Sequence, residues 1–234
     1  MTDVEQELTS RYHSALRQIV EACHRADRDP VEVSLLPVSK NHPASMVAHL
    51  MELGPRQFGE NRVQEMAGKA AELGSGPSWV LIGHLQRNKV AQACSVMSEL
   101  QSLDSIRLAQ ALERHLGTVG RCLPVLVEVN TSGEATKSGV DPDQVMDFTA
   151  QLRACPHLEV QGLMTVAHPD PQAADQGFAR LHDLRDRLRD RDGAQWQRLS
   201  MGMTHDFASA IAHGSTCVRL GTAIFGPRAI PAMR

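Results

Sequence analysis

Residues Val31-Glu32-Val33-Ser34-Leu35-Leu36-Pro37-Val38-Ser39-Lys40 form a short, β-rich apolar run that reads as a strand. Asn41-His42-Pro43 breaks the run, Ala44 to Leu53 reads as a helix, and Gly54-Pro55 ends that helix. This strand-then-helix unit recurs along the rest of the chain. Arg56-Gln57-Phe58-Gly59-Glu60-Asn61 is a short strand with its loop, and a helix follows from Val63 to Leu73. Ser78 to Gly83 is a third strand, followed by a helix over roughly Asn88 to Ser98. Glu99 to Leu103 reads as the fourth strand and Ser105 to Leu116 as its helix. Leu123 to Val129 is a strongly β-branched fifth strand, and Asp141-Pro142 opens the next helix with an N-cap and a proline at the first position. Leu158 to Val166 contains the sixth strand, and Phe178, Leu181, Leu184 and Leu188 form an apolar stripe on a highly charged helix. Gln197 to Met201, a helical segment from His205 to Ala212, and an eighth strand within Cys217 to Phe225 complete the series.

Strands alternating with helices imply a parallel sheet, because parallel neighbours need crossover connections. Eight such units predict an α/β fold, a (β/α)8 TIM barrel; a doubly wound open sheet is the alternative. Upstream, Leu8, Tyr12, Ala15, Ile19 and Ala22 recur at helical spacing, and Arg28-Asp29-Pro30 ends that segment. The expected organisation is one barrel domain over residues 1–234, with residues 1–30 as an additional N-terminal helix packed on it.

Composition narrows the function classes. The 234 residues are 42% hydrophobic and 22% charged, ordinary for a globular chain and unlike a disordered one. A formal net charge of −3 argues against a broad nucleic-acid surface, and 3% aromatics leaves no stacking platform for single strands. No apolar run approaches the roughly 20 residues needed to span a bilayer. The five cysteines are odd in number and scattered, with no CxxC, which speaks against a disulfide framework or a zinc ribbon. Met1-Thr2-Asp3-Val4-Glu5 lacks the basic patch and apolar stretch of a secretory signal, so a reducing cytoplasm is the expected compartment. There is no HExxH, no GxSxG and no GxGxxG, which leaves zincin, hydrolase-elbow and Rossmann chemistry unsupported.

The candidate functional residues cluster at strand ends. Lys40 closes the first strand, at what would be a barrel mouth, where partial desolvation favours the neutral, nucleophilic amine; a solvated lysine past a strand end is the plainer reading. Asn61 is a donor to a ligand oxygen or a helix cap. His84-Leu85-Gln86-Arg87-Asn88-Lys89 gathers polar groups after the third strand, and Asn130 to Gly139 is a polar loop of small residues after the fifth. Ser200-Met201-Gly202-Met203-Thr204 and Arg219-Leu220-Gly221-Thr222 follow or end strands seven and eight. Barrels commonly bind phosphate with the loops after those two strands, and small residues let backbone N–H groups approach an anion. Tight turns and close packing are the alternative use of Gly202 and Gly221.

Taken together, Val38-Ser39-Lys40, Phe58-Gly59-Glu60-Asn61-Arg62-Val63-Gln64-Glu65, Ile82-Gly83-His84-Leu85-Gln86-Arg87-Asn88-Lys89, Lys137-Ser138-Gly139, Gly162-Leu163-Met164, Ser200-Met201-Gly202-Met203 and Arg219 to Gly226 resemble the YggS/PROSC family of pyridoxal phosphate homeostasis proteins. The resemblance runs in order from about residue 31 to the end. It implies an alanine-racemase-like barrel of fold type III that holds pyridoxal 5′-phosphate. Under it, Lys40 matches the Schiff-base lysine, Ser200, Gly221 and Thr222 match phosphate-binding positions, and Arg219 matches the arginine facing the pyridine nitrogen. Asn61 matches a residue of the cofactor pocket, and Met201 and Gly202 match the loop beside Ser200. Val80 stands where the family often has histidine, Thr204 replaces a common serine, and Pro37 replaces a small residue.

Racemisation needs an acid and a base on opposite faces of the bound substrate. The resemblance to alanine racemase covers only its barrel, and its second domain, which supplies the opposing tyrosine, has no counterpart here. The one tyrosine, Tyr12, lies in the N-terminal helix. An arginine at the pyridine nitrogen also disfavours a ring proton and weakens the electron sink. The expectation is therefore a binder that stores, buffers or delivers pyridoxal phosphate, with no catalytic residues of its own and no metal. A slow amino-acid racemase of the same fold is the alternative. The expected partners are the cofactor and pyridoxal phosphate-dependent client enzymes, with no nucleic acid or membrane, and the expected state is a monomer.

Overall fold

Thr2 starts the first helix, α1 (Asp3–Arg25). Its hydroxyl accepts from the Glu5 N–H while the Glu5 carboxylate accepts from the Thr2 N–H, a reciprocal capping box. The computed structural model describes residues 2–134 and 137–227. From α1 the chain alternates as read: β1 (Ser34–Pro37), α2 (Ala44–Glu52), β2 (Gln57–Glu60), α3 (Val63–Leu73), β3 (Ser78–Leu81), α4 (Val90–Cys94), β4 (Met97–Leu103) and α5 (Ile106–Val119). It continues with β5 (Leu123–Glu128), α6 (Val145–Gln151), β6 (Leu158–Met164), α7 (Pro171–Asp192), β7 (Arg198–Ser200), α8 (Phe207–Ala212), β8 (Cys217–Leu220) and α9 (Thr222–Phe225).

All eight strands are parallel, in the order β1-β8-β7-β6-β5-β4-β3-β2. The two outer strands of that order meet at a parallel bridge between Val38 and Gly59, where the Ser39 N–H donates to the Gly59 carbonyl at 3.1 Å. The sheet therefore closes into a barrel, and the open doubly wound alternative is excluded. One sequence expectation is corrected. The helix read over Asn88 to Ser98 is only Val90–Cys94, and Met97 and Ser98 already belong to β4. Met97 is fully buried beside Trp79 of β3, so the packing of that side chain favours the strand over another helical turn.

Strand alternation sorts the side chains into two cores. Val125, Val127, Leu163, Leu199, Val218 and Leu220 point outward into the large apolar layer beneath the helices. Leu36, Val80 and Cys217 point inward, with Ile82 packed on them. Val80 thus fills an apolar layer of the barrel interior.

The buried face of α1, from Leu8 through Tyr12, Ala15 and Ile19 to Cys23, packs against α8, α9 and α2. Arg28 clamps the end of this segment by donating to the carbonyls of Ile211 and Ser215 at 2.9 and 2.7 Å. Tyr12 accordingly lies on the outside of the barrel. No helix among the described residues is long and apolar enough to cross a membrane.

Candidate functional site

A polar column runs through the barrel interior. Arg198 of β7 donates to Glu99 of β4 and to Gln161 of β6, both at 2.9 Å. Gln101 donates to Glu99 at 2.7 Å, and its amide oxygen accepts from the Ser200 hydroxyl at 2.7 Å. Arg219 of β8 donates to the same hydroxyl at 2.8 Å and to the Thr165 carbonyl at 2.8 Å. The residues contributing to the column alternate along their strands: Glu99 and Gln101, Arg198 and Ser200, with Leu100 and Leu199 turned outward between them. The column ends at the carboxyl ends of the strands, where barrel sites form.

At that mouth Arg219 is 3% exposed. Burial pulls its pKa down, opposed by Cys217, Glu128 and Asp206, and a guanidinium remains a cation under all working conditions. Glu128, at the end of β5, is pushed up to about 7, chiefly by burial and then by the like charge of Asp104, while Arg219 and His84 oppose the shift. His84 Nδ1 lies 2.9 Å from Asp104 Oδ2 at the rim.

Lys40 sits in a turn just beyond β1, closed by the His42 N–H to the Ser39 carbonyl at 3.0 Å. Asn41, the third residue of that turn, has φ of 63°, a conformation asparagine tolerates better than most residues. Lys40 is half-buried and borders two clefts. The first, about 230 Å³, is bounded by Lys40, Arg219, Gly221 and Thr222, with Val38 and Ile82 as apolar walls and Met203 to His205 on its rim. The second, about 210 Å³, is polar and bounded by Lys40, Asn41, Asn61, Arg62 and Glu65.

Four of the expected site residues therefore meet around one cleft, and Asn61 lies across Lys40 in the neighbouring one. Asn61 does not cap α3: the residue at the cap is Arg62. Ser200, Met201 and Gly202 are buried beneath the first cleft, with the Ser200 hydroxyl committed to Arg219 and Gln101. Gly202 has φ of 97°, and a Cβ there would lie 2.7 Å from Ala210 and 2.9 Å from the Phe207 backbone, so the turn into α8 requires glycine. A Cβ on Gly221 would point at Val38, 3.3 Å from its carbonyl oxygen, across a wall that both residues contribute. Beyond it, the N–H groups of Ile224 and Phe225 donate to the Gly221 carbonyl at 2.9 and 2.8 Å, which leaves those of Thr222 and Ala223 as the orphan donors of a helix start.

Sequence reasoning missed Gln101, Thr165 and Glu128. The strict alternation of polar and apolar residues in Glu99-Leu100-Gln101 was a signal for the first. It also missed Lys69, which falls at the buried spacing Val63, Met66, Lys69 on α3. Among the described residues, no group of three metal-ligating side chains is placed to hold an ion.

The donor set suits a small phosphorylated aldehyde with a basic ring: an amine, backbone N–H groups at a helix start, a hydroxyl and a guanidinium around an apolar-walled cleft. The architecture agrees with known proteins. Residues 14–229 match the alanine racemase N-terminal domain family, which defines the class of barrel. An alanine racemase of Clostridium difficile shares this fold with a TM-score of 0.72 at 14% identity, over 94% of this chain and 58% of the racemase. A pyridoxal phosphate homeostasis protein of Pseudomonas aeruginosa is 40% identical over 214 residues, covering 90% of this chain and 91% of its own. PipY of Synechococcus elongatus, solved with pyridoxal phosphate bound, is 34% identical with a TM-score of 0.79, over 89% of this chain and 100% of its own. The chain belongs to the pyridoxal phosphate homeostasis protein family.

Proposed function

We propose that this chain binds pyridoxal 5′-phosphate and buffers or delivers it in the cell without substantial turnover. The observation that carries the reading is the meeting of Lys40, Arg219, Gly221 and Thr222 around one cleft at the barrel mouth. The bound group would supply an aldehyde that condenses reversibly with an amine. Lys40 provides that amine. Gly221 and Thr222 hold the phosphate through the N–H groups at the start of α9 and the Thr222 hydroxyl. Met201 and Gly202 would support the floor through their place beside Ser200, and Asn61, in the neighbouring cleft, would meet the cofactor from the other side of Lys40. Ser200 was expected at the phosphate. Its single hydroxyl proton goes to Gln101 and its oxygen accepts from Arg219, so donating to the phosphate would exchange the Gln101 bond and keep the one from Arg219; Ser200 would then link Arg219 to the phosphate.

Arg219 decides between carrier and racemase. Held by Ser200 and Thr165, the Arg219 guanidinium would donate to the ring nitrogen and disfavour a proton there, and the ring would then be a weaker electron sink for a bound amino acid. We take residues 1–234 as one binding unit, monomeric and cytoplasmic, whose partners are the cofactor and the enzymes that receive it.

The test is a near-visible absorption spectrum before and after borohydride, with peptide mapping of the reduced adduct. The adduct should map to Lys40, and Lys40→Ala should lose both the band and the adduct. A trapped adduct on Lys89 or Lys137 would overturn the assignment. Turnover of alanine or serine on the order of 1 s⁻¹ or faster would promote the racemase instead.

A further inference from the structure

Behind the turn that carries Lys40 lies a buried ionic cluster. Lys69 enters it from α3 with its side chain only 7% exposed. An ammonium has three N–H groups, and here three oxygens accept them: Glu60 Oε1 at 2.5 Å, the Ser39 carbonyl at 2.7 Å and Glu65 Oε1 at 2.8 Å. The Ser39 hydroxyl donates to the same Glu60 oxygen at 2.5 Å. Glu65 Oε1 also accepts the Asn41 N–H at 2.5 Å. A buried ion pair seldom repays its own desolvation, so stability alone is a poor reason for a lysine on the inner face of α3. What it touches supplies a better one. The Ser39 carbonyl and the Asn41 N–H belong to the two peptide groups on either side of Lys40.

We propose that Lys69 is a positioning residue for Lys40: one buried ammonium holds the preceding peptide directly and the following peptide through Glu65. The proposal rests on the reading of Lys40 as the capturing lysine. Capture forms a carbon–nitrogen double bond between the Lys40 amine and the aldehyde carbon and releases the aldehyde oxygen as water. No oxidant or reductant enters. The step depends on where the amine stands, and small misplacements of reacting groups cost large factors in rate. None of the cluster's bonds reaches Gly221, Thr222 or Arg219, so holding of the phosphate and ring is expected to survive its loss, with α9 still anchored to the turn by the stack of His42 on Phe225.

The two contributions separate with two ligands. Pyridoxal 5′-phosphate can be captured, whereas pyridoxine 5′-phosphate carries an alcohol in place of the aldehyde and can only be held. The main variant is Lys69→Met with Glu60→Gln, which removes both charges so that neither is buried alone. A second, Glu65→Ala, frees the Asn41 N–H and leaves the Lys69–Glu60 pair in place. Both should slow the growth of the near-visible band and weaken pyridoxal phosphate binding, the first by roughly tenfold or more. Both should leave the affinity for pyridoxine phosphate within about twofold of the parent. Circular dichroism and thermal melting of the cofactor-free protein report whether the barrel is intact; if the double variant does not fold, Glu65→Ala decides alone. Equal losses for the two ligands, or no loss for either, overturn the proposal. A band that survives Lys40→Ala would sink the reading of Lys40 instead, so the two failures are distinguishable.

Discussion

Replacing Glu128 with glutamine tests the electrostatics of the barrel mouth. Glu128 is 8% exposed at the end of β5, and its pKa is pushed up to about 7 from an ordinary 4.5, mainly by burial. The folded protein therefore holds this proton more tightly than the unfolded chain does. Between pH 4.5 and 7 the native state binds more protons, so this group's contribution lowers stability as pH rises through that window. About two and a half decades at ~1.4 kcal/mol each give a full cost of ~3 kcal/mol above pH 7, most of which develops between pH 5 and pH 8. Glutamine cannot ionise. Relative to the parent, Glu128→Gln should therefore gain ~2–3 kcal/mol more at pH 8 than at pH 5. Urea unfolding of both proteins at the two pH values measures this directly, provided the slopes agree. A parent–variant difference that stays constant with pH would refute the reasoning. It would mean that the carboxylate is solvated at the mouth or that Arg219 fully compensates its burial.

Two further outcomes follow from the geometry. Gly221→Val should fill the space against Val38 and weaken both pyridoxal and pyridoxine phosphate by roughly ten- to a hundredfold, since losing one charge-assisted bond to phosphate costs ~1.5–3 kcal/mol; unchanged titrations would place the phosphate elsewhere. Ser200→Ala should cost the cofactor-free protein ~1–3 kcal/mol in urea unfolding, because Arg219 and Gln101 both lose a buried partner. If stability held and only cofactor affinity fell, the hydroxyl would serve the phosphate and not Arg219.

The barrel was legible because the period of the apolar residues switches between strand and helix eight times, and because proline and glycine punctuate the switches. Where that signal weakened, the reading erred. Ser95 to Ser98 carries no strong breaker, so the helix was run on, and only the burial of Met97 beside Trp79 reveals the strand. Lys40 and the strand-end glycines were legible as a constellation, although each was weak alone. The polar column was not. Glu99, Gln101, Arg198 and Ser200 come from strands about a hundred residues apart, and only barrel closure brings them within hydrogen-bond reach. Lys69 was hidden differently. Glu65 and Lys69 stand four apart, the ordinary spacing of a surface ion pair, and nothing in that spacing marks a lysine as buried.

The two buried networks bear on the proposed role of holding a cofactor rather than turning over a substrate. The column fixes Arg219 from beneath: its guanidinium donates to a serine and to a carbonyl, and the serine is itself held by Gln101. The cluster around Lys69 fixes the turn of Lys40 from behind, and the stacking of His42 on Phe225, with centroids 5.1 Å apart, ties the same turn to α9. The turn of Lys40, Arg219 and α9 are thus tied by hydrogen bonds and packing; in the roles proposed for them, of amine, ring partner and phosphate helix, this lowers the ordering cost of binding. Such pre-organisation favours the bound ground state. An enzyme gains rate only from contacts that strengthen in the transition state, and a guanidinium that is equally satisfied before and after proton abstraction gives no such gain. On the proposed function, tight, reversible capture and weak activation are the expected outcomes of the same rigid arrangement.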